Sequence, residues 1–199
     1  MSSVDRVART RAEILDSAWD LISVRGAEVS LAEIAKAAGI SRQSVYDHFG
    51  SRGGLILGLV RRADERLDIK ARFDEAFETV NPAKRLEASI EVWIRFVEEI
   101  YPVASDLIRL RSTDADASAA WEDRMSELRD WLLILTGSLE RDGALQADWS
   151  AKEAADYLWA SFSVQSWGLL TRDCSWSEER ALEVLKRTIR QALLRPAVA

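Results

Sequence analysis

A short stretch near the N-terminus carries polar side chains that could bind a nucleic acid. These side chains are Arg42, Gln43, Ser44, Tyr46 and His48. The forked guanidinium of Arg42 matches the O6 and N7 atoms of guanine, and the amide of Gln43 matches N6 and N7 of adenine. Hydroxyl and imidazole groups suit phosphate oxygens, which fix a protein's position on DNA without reading its sequence. Together these residue types indicate contact with both the bases and the backbone of DNA.

Two short helices joined by a tight turn are predicted to carry these side chains. Ser30 followed by Glu33 is a capping-box pattern and begins the first of them. Gly39 marks the turn, and Ser41 can cap a second helix over residues 42–48. Behind a longer N-terminal helix, this arrangement is a helix-turn-helix motif, whose second helix enters the major groove.

Polar residues on both sides of this recognition helix would extend the contact with DNA. Ser30 and Lys36 belong to the preceding helix, and Arg52 follows the recognition helix. The complete predicted set is Ser30, Lys36, Ser41, Arg42, Gln43, Ser44, Tyr46, His48 and Arg52. The alternative interpretation is a helical hairpin packed inside a larger bundle, which explains the apolar residues of the stretch but not its polar ones.

The composition describes a globular, helical protein. Of the 199 residues, 48% are hydrophobic and 30% charged, and the low counts of 9 glycines and 3 prolines favour helices. No apolar run approaches the ~20 residues that span a bilayer, and the N-terminus lacks a signal peptide's apolar stretch. We therefore expect a cytoplasmic protein without membrane contact. One cysteine, one histidine and no glycine-rich phosphate loop argue against a metal site, a cofactor and an enzyme.

The formal net charge of -6 is unevenly distributed along the chain. Residues 1–52 contain seven basic and seven acidic residues, so the whole excess of negative charge lies in residues 53–199. Within the neutral N-terminal part, Arg6, Arg9 and Arg11 form a basic arm, for which an ordinary solvated helix start is the alternative. The acidic total therefore does not exclude a DNA-binding N-terminal module.

The stretch from Ser30 to Val60, SLAEIAKAAGISRQSVYDHFGSRGGLILGLV, resembles the DNA-binding module of TetR-family (tetracycline-repressor-like) transcriptional regulators. The resemblance covers residues 4–60. Its most telling residues are Ile34-Ala35, Ala38-Gly39-Ile40-Ser41, Tyr46, His48-Phe49, Ser51-Arg52 and Leu55. The resemblance implies that Tyr46 and His48 contact phosphate, and that Tyr46 sometimes contacts a base. Arg52 stands where the family more often has lysine, so the positive charge is kept.

Gly53 and Gly54 depart from the family pattern. Each lowers helix propensity by roughly 1 kcal/mol, which predicts a soft start to the fourth helix. Flexible glycines at this place could alter how a ligand signal reaches the DNA-binding module. Simple tolerance of glycine at a frayed helix end is the alternative.

The rest of the chain shows the helical spacing of apolar residues without strand alternation. Counting the first helix, long helices are predicted over about 4–24, 55–78, 82–100, 102–111, 121–141, 150–170 and 177–194. The expected fold is all-α. It comprises an N-terminal three-helix helix-turn-helix DNA-binding domain over residues 1–52 and a C-terminal helical ligand-binding and dimerisation domain over residues 53–199.

Aromatic residues are concentrated in the second part, which holds seven of the eight tryptophans. The family resemblance implies a ligand pocket among these helices. The candidate wall residues are Trp93, Phe96, Trp131, Trp159 and Phe162. Such flat side chains suit an apolar or aromatic ligand, or a lipophilic cation. For each residue taken alone, ordinary core packing is the alternative.

The predicted helix over residues 154–170 is apolar on nearly every side, and the last helix adds a second apolar stripe. A helix that is apolar all round must be covered all round. We therefore expect these last two helices to pack against a second copy in a twofold dimer, as the family resemblance also implies. An internal core helix is the alternative.

These expectations combine into a ligand-responsive transcriptional regulator. A homodimer would bind a palindromic operator and release it when a small apolar or aromatic effector binds. Repression is the default expectation, and activation stays open. The alternative function is a helical dimeric protein-interaction module without sequence-specific DNA binding.

Overall fold

A computed structural model describes residues 3–26 and 29–196 of the chain, and these residues are almost entirely helical. The helices are α1 Ser3–Arg25, α2 Leu31–Ala37, α3 Arg42–Phe49, α4 Arg52–Leu67, α5 Ile69–Phe77, α6 Pro82–Leu110, α7 Ala115–Arg141, α8 Ala151–Ser161, α9 Val164–Gly168 and α10 Glu178–Leu193. A π-helical turn, Leu169–Asp173, continues α9. The predicted all-α fold is confirmed.

The ends of the first three helices follow the sequence signals. Gly26 has a left-handed φ of 69° just after α1. The Ser30 hydroxyl accepts a hydrogen bond from the Glu33 backbone N–H, and the Glu33 carboxylate accepts one from the Ser30 backbone N–H at 2.9 Å. At the start of α3, the Ser41 hydroxyl accepts from the Ser44 backbone N–H at 3.1 Å. The capping box and both serine caps are therefore confirmed.

Two compact units make up the chain. The first comprises Met1–Leu67 and Ile100–Asp123, and the second comprises Asp68–Glu99 and Arg124–Ala199. Helices α6 and α7 each contribute to both units. The functional boundary after Arg52 stays a prediction, but α4 belongs to the same packing unit as α1 and α3.

Helix α4 begins at Arg52 and includes both glycines that predicted a soft start. A Cβ atom on Gly53 would lie 2.4 Å from Asp114 Oδ1, and one on Gly54 would lie 2.0 Å from the Phe49 carbonyl oxygen. No side chain fits at these distances. The glycines are therefore explained by close packing, rather than by flexibility or by tolerance at a frayed end.

Asp68 divides the helix that was predicted over residues 55–78. Its backbone is left-handed, with φ 47° and ψ 46°, so α4 ends before it and α5 begins after it. A left-handed residue costs about 1–2 kcal/mol, and aspartate adopts this conformation more readily than most residues. Since neither glycine nor proline marks the site, the sequence gives no sign of this break.

Helix α6 passes through Pro102 without interruption, whereas a break was predicted there. Proline removes one hydrogen bond of the helix but does not always end it. Helix α7 begins six residues earlier than the predicted start at Trp121, since the Asp114 carboxylate accepts a hydrogen bond from the Ala117 backbone N–H at 3.0 Å. The polar loop predicted over residues 112–118 therefore contains the cap of α7.

The helix predicted over residues 150–170 is correct only in its first half. Ser150 and Glu153 form the predicted capping box, but α8 ends at Ser161. Ser163 begins α9, since its hydroxyl accepts from the Ser166 backbone N–H at 3.1 Å. The last helix has the predicted cap, Ser177.

Candidate nucleic-acid interface

Helix α3 has one face in the core and the opposite face exposed. Val45 and Phe49 are 1% and 8% exposed. Gln43 and Asp47 are exposed on the other side, and Arg42 is exposed as the first residue of α3. The spacing of four between the two buried residues fits one face of an α-helix, and it turns the polar side chains towards solvent. The predicted orientation of the recognition helix is therefore present in the structure.

The outer side chains of α3 form two pairs, each spanning one turn. Arg42 Nη2 donates to the Tyr46 hydroxyl at 3.1 Å, and its guanidinium carbon lies 5.4 Å from the Tyr46 ring centroid. Gln43 Nε2 donates to Asp47 Oδ1 at 2.9 Å. These pairs bring three of the predicted DNA-binding residues together on one surface. Asp47 was not among the predicted residues, although its spacing of four from Gln43 places both on one face of the helix.

Two of the predicted DNA-binding residues, Ser30 and Ser41, use their hydroxyls to cap helices. Ser30 Oγ donates to Glu33 Oε2 at 2.8 Å, and Ser41 Oγ accepts from the Ser44 backbone N–H. Hydrogen bonds from the Ser30 backbone N–H and then from its hydroxyl, with Arg25 beside it, lower the pKa of Glu33 to about 2. The primary role of Ser30 and Ser41 in the fold is therefore capping.

Lys36 and His48 lie at the edges of the exposed surface. Lys36 is exposed in the last turn of α2, so it can reach a phosphate without loss of any described contact. Ser44 and His48 are half-buried, and the His48 ring centroid lies 6.3 Å from that of Phe49. Their places on α3 are compatible with the predicted phosphate contacts.

Arg52 is the predicted DNA-binding residue whose environment differs most from expectation. Its guanidinium Nη2 lies 2.6 Å from Asp106 Oδ2, and its Nη1 donates to the Val29 carbonyl. The Arg52 side chain is only 17% exposed and that of Asp106 is fully buried. Since its charge is neutralised within the fold, we leave Arg52 out of the proposed DNA contacts.

The three arginines of the basic arm lie on α1, and one of them is next to α3. Arg6, Arg9 and Arg11 are all exposed. The Arg11 guanidinium carbon is 4.8 Å from the Phe49 ring centroid, which places it next to the end of α3. Arg9 instead pairs with Glu13 at 3.6 Å, and both Arg6 and Arg9 lie about 140–160° around α1 from Arg11, so only Arg11 adds positive charge beside α3.

The five candidate ligand-binding aromatics all belong to the second unit, where three of them are in contact. Trp93 Nε1 donates to the Phe162 carbonyl at 2.8 Å, and its ring centroid is 5.7 Å from that of Phe96. Trp131 instead packs against Phe73, with 4.4 Å between ring centroids. These contacts are also those of a packed core, so a ligand role for them stays a prediction.

Trp159 has a different environment. The guanidinium carbon of Arg129 lies 4.4 Å from its ring centroid. Its indole Nε1 is buried and has no hydrogen-bond acceptor among the described residues. A buried donor without a partner costs about 1–3 kcal/mol, so this N–H would gain from a ligand that accepts a hydrogen bond.

A groove of about 760 Å³ runs along α6 and α10 in the second unit. Its walls carry charged side chains joined in ion pairs, Lys186 with Glu91 at 2.6 Å and Arg190 with Glu87 at 3.0 Å. This lining does not match the apolar pocket that was predicted.

The apolar residues that predicted a dimer are mostly buried within the chain. Leu158 and Trp167 are fully buried, and Leu185 and Ile189 of α10 are 8% and 1% exposed. The alternative of an internal core therefore accounts for them. Large apolar residues that remain exposed in the second unit, among the described residues, are Val80, Leu133, Ile134, Leu169 and Trp176.

Neither a metal site nor a membrane-spanning helix is found among the described residues. No group of three or more histidine, cysteine, aspartate or glutamate residues is placed to hold a metal ion. None of the helices over the described residues is long and apolar enough to cross a bilayer.

Comparison with known proteins agrees with the helix-turn-helix geometry. A sequence profile described as bacterial regulatory proteins of the tetR family matches residues 14–59. The HTH-type transcriptional repressor BepR of Brucella suis biovar 1 (strain 1330) is 34% identical over 164 residues, which cover 77% of each chain. The HTH-type transcriptional regulator AlkX of Mycobacterium tuberculosis (strain ATCC 25618 / H37Rv) is 44% identical over 61 residues, 30% of this chain and 29% of AlkX.

The fold also has solved relatives. A TetR-family transcriptional regulator from Agrobacterium tumefaciens superposes with a TM-score of 0.73 at 19% sequence identity. The superposition covers 95% of this chain and 100% of that structure. At this level of identity the likeness shows the fold.

Proposed function

Because the chain belongs to the TetR family of bacterial regulatory proteins, we propose that it is a repressor that binds a palindromic operator as a homodimer and releases it when a small effector binds. Proteins of this family regulate transcription and are not enzymes. The similarity to a named repressor over most of both chains supports repression as the direction of control. The chain would act in the cytoplasm, where bacterial DNA lies.

The exposed side of α3 is the observation that carries this proposal. Arg42, Gln43 and Tyr46 stand on it as donors, while Val45 and Phe49 anchor the helix from behind. Arginine and glutamine can each form two hydrogen bonds to a base edge in the major groove. A plain interaction module has no need for this pattern, and the relatives named are HTH-type regulators.

A dimer is proposed because one short helix reads too few bases to select a site. Two copies related by a twofold axis would read half-sites about 34 Å apart. The charge of α10 favours such pairing. Glu179 and Glu183, the latter paired with Arg180, are exposed in its first half, and Arg187 and Arg190, the latter paired with Glu87, are exposed in its second half. An antiparallel copy of the helix would place opposite charges together.

The proposed effector is a small apolar or aromatic molecule bound in the second unit. The contact of Trp93 with Phe96 and Phe162 supplies aromatic surface. Trp159 adds a buried N–H without a partner among the described residues, which favours a ligand carrying a hydrogen-bond acceptor. Differential affinity of this ligand for two arrangements of the dimer would shift the population away from the DNA-binding one.

Selection from a random DNA library by the purified protein, at near-physiological salt, tests the proposed function. We expect enrichment of a palindrome whose half-sites are about one helical turn apart. Salt-sensitive binding without an enriched motif would contradict sequence-specific regulation.

Sedimentation of the free protein tests the dimer separately. The wild type should sediment as a dimer, and Glu183→Arg should weaken it by placing like charges together. Glu75→Arg makes the same charge change at an exposed position of α5 and should leave the association unchanged. A wild type that stays monomeric at the concentrations used would overturn the dimer.

A further inference from the structure

Asp47 and Gln43 are the side chains of α3 that point most directly away from the core. With about 100° of rotation per residue, Val45 and Phe49 define a buried direction, and Gln43 and Asp47 lie about 140° and 180° from its middle. Both are exposed; Gln43 lies in the first turn of α3 and Asp47 in its last turn. In a helix that enters the major groove, side chains in this position face base edges, whereas those on its flanks face phosphates.

The carboxylate of Asp47 determines how Gln43 presents its amide. Gln43 Nε2 lies 2.9 Å from Asp47 Oδ1. An amide oxygen turned towards the carboxylate would bring two acceptors together, so the amino group must be on this side. Gln43 then offers its Oε1 acceptor and its second N–H to the groove. Asp47 keeps its other oxygen, Oδ2, as a further acceptor.

A carboxylate in the centre of a DNA-reading surface needs a specific partner. Phosphate groups repel it, so in contact with DNA it is stabilised only by a donor on a base edge. In the major groove, cytosine presents its N4 amine, and aspartate is among the side chains that accept from it. Thymine and the guanine O6 and N7 atoms offer only acceptors there and would be disfavoured. Adenine also presents an amine, N6, but its N7 acceptor lies beside that amine on the same base and would repel the carboxylate.

We propose that Asp47 is a specificity-determining residue that accepts a hydrogen bond from the N4 amine of a cytosine in each half-site and holds the amide of Gln43 in its reading orientation. This inference rests on the proposed function, since it requires α3 to enter the major groove. It assigns one residue two linked effects: selection of a base by Oδ2 and orientation of Gln43 by Oδ1.

Three substitutions separate base reading from a merely structural role. Asp47→Asn keeps an acceptor for Gln43 but replaces the charged acceptor by an amide that can also donate. Asp47→Ala removes both effects, and Asp47→Glu keeps a carboxylate on the same helix face. Asp20→Asn, which neutralises an exposed acid on α1, controls for the change in net charge.

Each protein is used to select sequences from the same random DNA library at fixed salt. We expect the wild type to enrich cytosine in one column of each half-site, and Asp47→Asn and Asp47→Ala to reduce that preference about tenfold. Asp47→Glu should retain part of it. Asp20→Asn should leave every column as in the wild type. Affinity for non-specific DNA should rise more in Asp47→Asn and Asp47→Ala than in Asp20→Asn, because the charge that they remove lies on the helix that faces DNA.

Two results distinguish failure of this inference from failure of the function. A wild-type motif that Asp47→Asn and Asp47→Ala leave unchanged would overturn the role of Asp47 alone. A wild type that selects no motif, with the same helical content and thermal unfolding as its variants, would overturn the proposed function and this inference with it.

Discussion

Arg52 and Asp106 form an ion pair in which Arg52 Nη2 lies 2.6 Å from Asp106 Oδ2 and the aspartate is completely buried. A second nitrogen, Nε, donates to the same oxygen at 3.1 Å, and Nη1 donates to the Val29 carbonyl. Arg52 thus joins the residue before the α2 cap, the start of α4 and α6 within the first unit. The other carboxylate oxygen of Asp106 accepts from Arg109 at 2.7 Å.

Removal of Asp106 should destabilise the fold strongly. Asp106→Ala leaves the poorly exposed Arg52 without its counter-charge, and breaking a buried pair typically costs about 3–5 kcal/mol. The double variant Arg52→Met with Asp106→Leu should recover much of this loss. Denaturant unfolding measures each free energy of unfolding.

The exposed pair of Lys70 and Asp74 supplies the control for this prediction. Its side chains are 77% and 56% exposed, so Asp74→Asn should change the free energy of unfolding by less than about 1 kcal/mol. An Asp106→Ala variant as stable as Asp74→Asn would contradict the structural importance of the buried pair.

Gly54→Ala should destabilise the protein, although alanine is normally the better helix former. The new Cβ would lie 2.0 Å from the Phe49 carbonyl oxygen, which belongs to the backbone and can move only with the end of α3. Overpacking of this kind costs about 1–3 kcal/mol. Thermal unfolding should therefore shift to lower temperature.

Gly137 provides the matched comparison, because a Cβ there would meet only the end of the Arg141 side chain at 3.6 Å. Gly137→Ala in the body of α7 should raise stability by up to about 1 kcal/mol. The changes in unfolding temperature of Gly54→Ala and Gly137→Ala need not be equal in size. If both alanine variants unfold at higher temperature than the wild type, the close approach at Gly54 is not restrictive.

Glu33 makes part of the stability depend on pH. The folded-state pKa of Glu33 is held at about 2, against an ordinary value of 4.5, chiefly by the backbone N–H of Ser30. Since this pKa is depressed, the carboxylate stabilises the fold above pH 4.5, and its contribution is lost as the pH falls from 4.5 towards 2. Glu33→Gln keeps an acceptor in the capping box but no longer titrates.

The thermal stabilities of wild type and Glu33→Gln should therefore converge as the pH falls through this window. Ser30→Ala removes the hydroxyl but keeps the backbone donor, so it should reduce the pH-dependent difference only in part. A difference in unfolding temperature between wild type and Glu33→Gln that stays constant from about pH 6 to about pH 2 would contradict the depressed pKa of Glu33.

Gln43 and Lys36 should affect DNA binding in different ways. Gln43→Ala should relax the preference at one base position of each half-site by about 1–3 kcal/mol. Lys36→Ala should weaken binding to all sequences and lower the slope of affinity against salt by about one. Fluorescence anisotropy with the selected operator and single-base variants, at several salt concentrations, separates these effects. A uniform loss in both variants would remove Gln43 from base reading.

Local signals allowed much of the fold to be predicted. The serine caps at Ser30, Ser41, Ser150 and Ser177 are confirmed, because a cap is a contact between residues three apart in the chain. The break at Asp68 was missed, since helical periodicity continues across it. The close packing behind Gly53 was also missed, because Asp114 is 61 residues away in the chain.

In the candidate site, too, local features could be predicted and contacts between residues far apart in the chain could not. The exposed row of α3 followed from the buried spacing of Val45 and Phe49, which is local. The environment of Arg52 could not be predicted, since its partner Asp106 lies 54 residues further on. A positive charge in a family position indicates a phosphate contact only when the side chain is exposed.

The link from Arg52 to Asp106 limits how the DNA-reading part could be exchanged between regulators. A chimera that transplants only the N-terminal helices up to Arg52 would separate this arginine from its counter-charge, and the Phe49 carbonyl from Gly54, which leaves room for it. The transferable module is therefore discontinuous: it includes Ile100–Asp123 together with the N-terminal helices. Grafts that carry both segments should keep operator recognition independent of the effector unit they receive.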